Sequence, residues 1–234
     1  MRHYYTKKEL YHQIDIIRKY VFKCSEYEYP FPLAKWITDI HGVAFTTLPF
    51  KTKALRAMAY IAENSNENHV VIVNDNLTEY ERNFYCGHEL IHLCLHKNEQ
   101  SKVFSCYDSI MPNQNPFLEW QANEGAAEFM IPYKILLPKI KDRINAIEKF
   151  SDIHLLKLEL ANEFLVTEKV MELRLENLKY EIVQYINGVN LENVVLLSGK
   201  EQKKRGVNVL SLNDIEHQMF ENELRNWRNS RIVS

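Results

Sequence analysis

Several features that commonly betray a chain's role are missing from these 234 residues. There is no excess of charge of either sign. The formal net charge is −2, so no global field favours nucleic acid or an anionic membrane as the main partner. No apolar run approaches the ~18 residues that a membrane-spanning helix needs. The opening "MRHYYTKKELYHQIDIIRKY" is broken by charge every few residues and lacks the apolar centre of a signal peptide. Cysteine is sparse: Cys24, Cys86, Cys94 and Cys106 make no C-x-x-C pair and no dense disulfide framework. Cys86 and Cys94 lie eight residues apart in one helical pattern, too far for a mutual bridge. A cytoplasmic protein is the expectation. No internal repeat, low-complexity segment or Gly/Ser/Pro-rich linker divides the chain. What remains is an ordinary globular composition, 46% hydrophobic and 26% charged, long enough for one large domain or a domain with an appendage.

The apolar spacing of Leu10, Ile14, Ile17 and Val21 predicts a first amphipathic helix over residues 6–23. A short second helix follows Pro32 and ends at Gly42. "GVAFTTLPF", "LRAMAYIAE" and "HVVIVND" read as three strands, the last two joined by the turn-rich "NSNEN". Thr78 with Glu81 fits a capping box that starts a helix running through His96. An irregular stretch with Pro112 and Pro116 comes next, then a helix that stops before Pro132. From Pro138 the chain reads as mostly helical. "LLKLELANEFLVTEKVMELRLENL" (155–178) predicts two helices with a break at Leu165–Val166 and Thr167 as the second N-cap. Beyond Tyr180 one or two strands, a basic loop "GKEQKKRG" and a last helix from Asn213 are expected. The fold class is α+β, mainly helical, with about three strands and a C-terminal α/β extension. A boundary near residue 180 divides it into 1–180 and 181–234.

One segment does not fit a purely structural reading. "YCGHELIHLCLH" (85–96) places three histidines and a glutamate in an otherwise apolar helix. Residues four apart on a helix differ by ~40° in azimuth and ~6 Å in height, so His88 and His92 share a face. Two imidazoles so placed can both reach a Zn²⁺ ion at ~2.0–2.1 Å. Glu89 is turned ~100° from His88, at the flank of such a site. Together they spell H-E-x-x-H, a zinc-peptidase signature. The competing reading is a buried helix whose histidines merely find hydrogen-bond partners.

A catalytic zinc needs a third protein ligand and an open fourth position. His96 continues the four-residue series, but a straight helix cannot wrap three turns around one tetrahedral ion. It is expected instead at the helix C-terminus, interacting with the dipole. The other place to look is "LEWQANEGAAEFMIP" (118–132), where Glu119, Ala122 and Ala126 share a face whose small residues allow close approach of another helix. Glu124 and Glu128 are rivals, either of which can be a solvated surface charge.

These segments resemble the ImmA/IrrE family of zinc metallopeptidases. The family pattern, roughly "HELGHxxLH" followed by "ExxANxFAAxLLMP", is similar to "HELIHLCLH" and "EWQANEGAAEFMIP" here. "LANEFLVTEKVMELRLENL" resembles the family's "LAxxFxVSxxAxxxRLxxL", and the likeness extends over about residues 8–180. It implies a zincin-like fold with the sheet beside the H-E-x-x-H helix. It also implies His88, His92 and Glu119 as metal ligands, Glu89 as the catalytic glutamate and Zn²⁺ as cofactor. Two positions depart from the pattern: Ile91 replaces a usual glycine and Gly125 a usual phenylalanine. The first is expected to crowd the floor of the site, the second to leave a gap in the core.

The resemblance implies an endopeptidase that cuts a specific protein, often a helix-turn-helix repressor encoded nearby in phage or mobile elements. In such a site zinc lowers the pKa of its water and Glu89 acts as general base. Tyr107 and Tyr133 are both candidates for an extra donor to the oxyanion, and "HVVIVND" for an edge that pairs with extended substrate. The alternative is a regulator of the same fold that binds a partner or DNA through the helix pair at 155–178. That pair's second helix offers Glu168, Lys169, Glu172, Arg174 and Glu176, a mixed surface rather than the clustered Lys/Arg that phosphate contacts need. The one basic cluster, Lys200, Lys203, Lys204 and Arg205, reads as a solvated loop.

Overall fold

The structure is a computed structural model that describes residues 4–22, 29–64 and 66–232. Cys24, residue 23 of the expected first helix and Ser65 of the "NSNEN" turn lie outside the described residues. The chain divides into two compact units. One comprises residues 1–130 with 163–167, the other residues 131–162 with 168–234.

In the first unit, α1 (Lys7–Phe22) and a short α2 (Leu33–Trp36) lead into β1 (Val43–Leu48), β2 (Leu55–Tyr60) and β3 (His69–Asn74). Then come α3 (Glu79–Leu95), β4 (Val103–Tyr107) and α4 (Pro116–Met130). The sheet has four strands in the order β1-β3-β2-β4, with β1 parallel to β3 and the other pairs antiparallel. Alternation selects its inner face: Ala57, Ala59, Val71 and Val73 are buried, beneath α3. β3 is therefore central, with both sides paired: it is the ordinary core strand and not an edge open to substrate. The edge strands are β1 and β4. β4 is the strand that the sequence reading left irregular. Its only signal is the alternation of buried Phe104 and Cys106 with Val103, Ser105 and Tyr107, too short to stand out beside Pro112.

The passage from β3 into α3 is fixed by polar detail. Buried Asn74 donates to the Leu55 carbonyl at 3.1 Å and accepts from the Asn76 N–H at 3.1 Å, turning the chain. Thr78 and Glu81 then form the expected capping box. Further along α3, buried Asn83 accepts from the Ala34 N–H and donates to the Leu165 carbonyl at 3.2 Å. Leu165, with a φ of +53°, sits in the short return of residues 163–167 to this unit.

The regular elements among the described residues of the second unit are all helices. Its helices are α5 (Tyr133–Ile144), α6 (Phe150–Glu163), α7 (Glu168–Asn177), α8 (Lys179–Ile186), α9 (Gly199–Lys204) and α10 (Leu212–Ile232). α5 begins ahead of Pro138 and contains it. The strands expected beyond Tyr180 are absent: Leu178 N–H to Arg174 and Ile182 N–H to Leu178 carry helical bonding straight into α8. "VVLL" then runs extended without a strand partner. The Gln184 side chain supplies the two hydrogen bonds a neighbour would give, to the Val195 N–H and carbonyl at 2.9 and 3.0 Å. The basic loop is the short helix α9, started by a Ser198/Glu201 capping box that the sequence reading overlooked. In α7, Arg174 is buried and donates to the Ile131 carbonyl at 2.9 and 3.1 Å. Glu172 pairs with Lys157 of α6. The exposed surface of α7 thus loses the only arginine expected on it.

Candidate metal centre

α3 and α4 are pressed together by small residues. A Cβ on Gly87 would lie 3.5 Å from the Ala126 Cβ, and one on Gly125 3.1 Å from both Ile91 and Ile14. The two departures from the family pattern therefore meet. Ile91 fills the space opposite Gly125, so no gap is left in the core and the extra bulk faces α4.

This contact sets three donors against one another. His88 Nε2 lies 3.1 Å from His92 Nε2 and 3.4 Å from a Glu119 carboxylate oxygen, and His92 Nε2 lies 3.7 Å from the other Glu119 oxygen. Ligands held tetrahedrally at ~2.0–2.2 Å are separated by about 3.3–3.6 Å, so the spacing fits one small divalent ion. Glu124 and Glu128 are elsewhere: buried rather than solvated, they bond Tyr11 and Arg18 of α1. Their place in the fold leaves Glu119 as the carboxylate that faces the histidines.

Electrostatics suits a cation. Burial drives the His92 pKa down to about 3, only partly opposed by the nearby Glu119 charge, so the ring is neutral and holds a free lone pair. Burial pushes Glu119 upward, but the His88 and His92 rings beside it outweigh that and leave its pKa at about 2, so it is anionic. Two neutral nitrogens and one anionic oxygen are the ligand types a borderline divalent ion takes.

Glu89 is fully buried and neither carboxylate oxygen has a hydrogen-bond partner. Burial first, and then the Glu119 charge, raise its pKa well above the ordinary range. An unpartnered buried carboxylate beside three convergent donors is costly unless something else occupies the space between them. Cys106 of β4 brings its sulfur within 4.8 Å of donor atoms of both His88 and Glu89.

The sequence reading missed the residues that hold this set. Asn123 Oδ1 meets His88 Nδ1 at 3.0 Å. Phe104 stacks on the His92 ring, centroids 4.3 Å apart. His96 caps the C-terminus of α3, where the sequence places it, and is buried, 2.8 Å from His92 Nδ1 and 2.9 Å from Gln121 Oε1. Its four-residue spacing from His92 was the available signal. A cleft of about 340 Å³ opens along β4, lined by Glu119, Phe104, Ser105, Tyr107, Gln114 and Leu118 among others. Tyr107 borders this cleft, whereas Tyr133 belongs to the second unit.

A small mixed sheet against an H-E-x-x-H helix, with a carboxylate supplied by a second helix, defines a zincin-like fold of the metallopeptidase type. The chain belongs to the peptidase M78 family: that family's IrrE N-terminal-like domain matches residues 38–176. Curated proteins give no significant match. Among solved structures, a Mycobacterium tuberculosis transcriptional regulator aligns with a TM-score of 0.43 and 18% identity. The alignment covers 72% of this chain and 47% of that one, so this chain spans about half that protein's length. No helix among the described residues is long and apolar enough to cross a membrane.

Proposed function

We propose that this chain is a zinc-dependent endopeptidase that cuts a specific protein in the cytoplasm. The observation that carries the reading is the convergence of His88 Nε2, His92 Nε2 and Glu119 within 4.8 Å of one another, with the unpartnered carboxylate of Glu89 beside them. His88, His92 and Glu119 would hold the ion. When bound, zinc supplies a Lewis acid that activates water and polarises a peptide carbonyl. The remaining work falls to the chain. Glu89 is anionic only when positive charge stands close by, which ties its function as base to a filled centre. One Glu89 carboxylate oxygen accepts the proton of the attacking water, and the same group delivers it to the leaving amine. The side chains around it exclude bulk water, so the proton has few competing destinations.

Edge strand β4 lies along the cleft that contains Glu119, and an extended substrate has room to lie there. By the family resemblance, the substrate is a helix-turn-helix repressor. The test is co-expression with such a repressor, followed by metal analysis of the purified full chain. Glu89→Gln should retain one zinc per chain and lose cleavage by about 10²–10⁴-fold. His92→Ala and Glu119→Ala should lose the zinc itself. Cleavage by Glu89→Gln at the wild-type rate would refute the mechanism.

A further inference from the structure

The bonds around His92 run in one direction. A neutral imidazole has one N–H and one bare nitrogen, so each hydrogen bond it makes decides what the other nitrogen can do. Gln121 presents its Oε1, which only accepts, to His96 Nε2 at 2.9 Å. The proton of His96 therefore sits on Nε2, and its Nδ1 is bare. His92 Nδ1, 2.8 Å from that bare nitrogen, must be the donor. The consequence is a His92 Nε2 with no proton, aimed at His88 and Glu119. Were the Gln121 amide turned over, every proton in the row would shift to the opposite nitrogen. His92 would then point an N–H at the place where a ligand lone pair is needed.

We propose that Gln121 and His96 are positioning residues that fix His92 as its Nδ1–H tautomer and so set the metal affinity of the centre. Gln121 and His96 are buried, and Phe104 lies flat against His92 and tilted against His96, which holds both rings in place. His88 is held in the matching sense by Asn123 Oδ1, which accepts from its Nδ1. This inference rests on the metal reading above, but its first test needs no metal.

Long-range ¹H–¹⁵N NMR of the chelator-treated full chain, labelled at histidine, reads the tautomers directly. His92 should be protonated on Nδ1 and His96 on Nε2. A wild-type His92 protonated on Nε2 overturns the proposal without any variant having to fold. Zn²⁺ affinity, measured by competition with a chromophoric chelator, is the second arm. His96→Phe keeps the ring against Phe104 but offers no acceptor, and should weaken Zn²⁺ binding about 10–100-fold. Gln121→Met should weaken it in the same direction. Gln121→Glu, which can still only accept when ionised, should retain it. A structural role alone would not separate the Met from the Glu variant. His96→Phe binding Zn²⁺ within twofold of wild type would sink the idea. A wild-type chain that binds no Zn²⁺ while showing the expected tautomers would count against the proposed peptidase instead.

Discussion

At the scale of single residues, the charge state of Glu89 is the most exposed to measurement. Without metal its carboxyl is held neutral by burial, while the unfolded chain ionises near the ordinary value of 4.5. Above that pH the unfolded state binds fewer protons than the folded one, so stability falls as pH rises. His92 acts in the opposite sense. Its folded pKa is about 3 against an ordinary 6.5, so its contribution is present above 6.5 and is lost as pH falls toward 3. Chelator-treated Glu89→Gln should therefore resist urea better than wild type at pH 7–8, with the advantage shrinking as pH approaches 4.5. Equal midpoints at pH 8 would mean that Glu89 is not held neutral. Spacing along one helix singled out His88, Glu89 and His92 in the sequence, whereas only the family resemblance set Glu119 above Glu124 and Glu128. Asn123, Gln121 and Phe104 reach the centre from α4 and β4, and nothing local to their own segments announces it.

Among the elements, the seam between α3 and α4 shows how a departure from pattern is absorbed. Bulky Ile91 packs against bare Gly125, so the volume that one helix lacks is supplied by the other across one contact. Gly125→Phe alone should be strongly destabilising through overpacking against Ile91 and Ile14, by about 1–3 kcal/mol or more. Adding Ile91→Gly should return part of that loss. A double-mutant cycle by urea unfolding should give a coupling of about 0.5–3 kcal/mol. Strict additivity would show that the two positions do not share the space. The sequence reading placed these helices correctly because the Thr78/Glu81 capping box starts α3, and Pro116 and Pro132 bracket α4. It failed where tertiary partners decide: β4 is a strand only because β2 pairs with it, and "VVLL" is not one because Gln184 bonds its backbone first.

For the whole molecule, the arrangement of the chain matters more than its length. Residues 163–167 return to the first unit, where Phe164 and Val166 are buried and the Leu165 carbonyl accepts from Asn83 of the H-E-x-x-H helix. Phe164→Ala should cost about 3–5 kcal/mol and lower the thermal midpoint of the metal-free protein, measured by circular dichroism. An unchanged midpoint would mean that this return is ornamental. During synthesis the order of events follows from it. When Met130 leaves the ribosome, every donor of the centre already exists, yet the helix that bears the histidines still lacks the partner for Asn83. The first unit can finish its core only after Thr167 has emerged. A nascent chain stalled before that point should remain open to proteases, because the helix that carries the histidines is not locked in place until the helices that follow have been made.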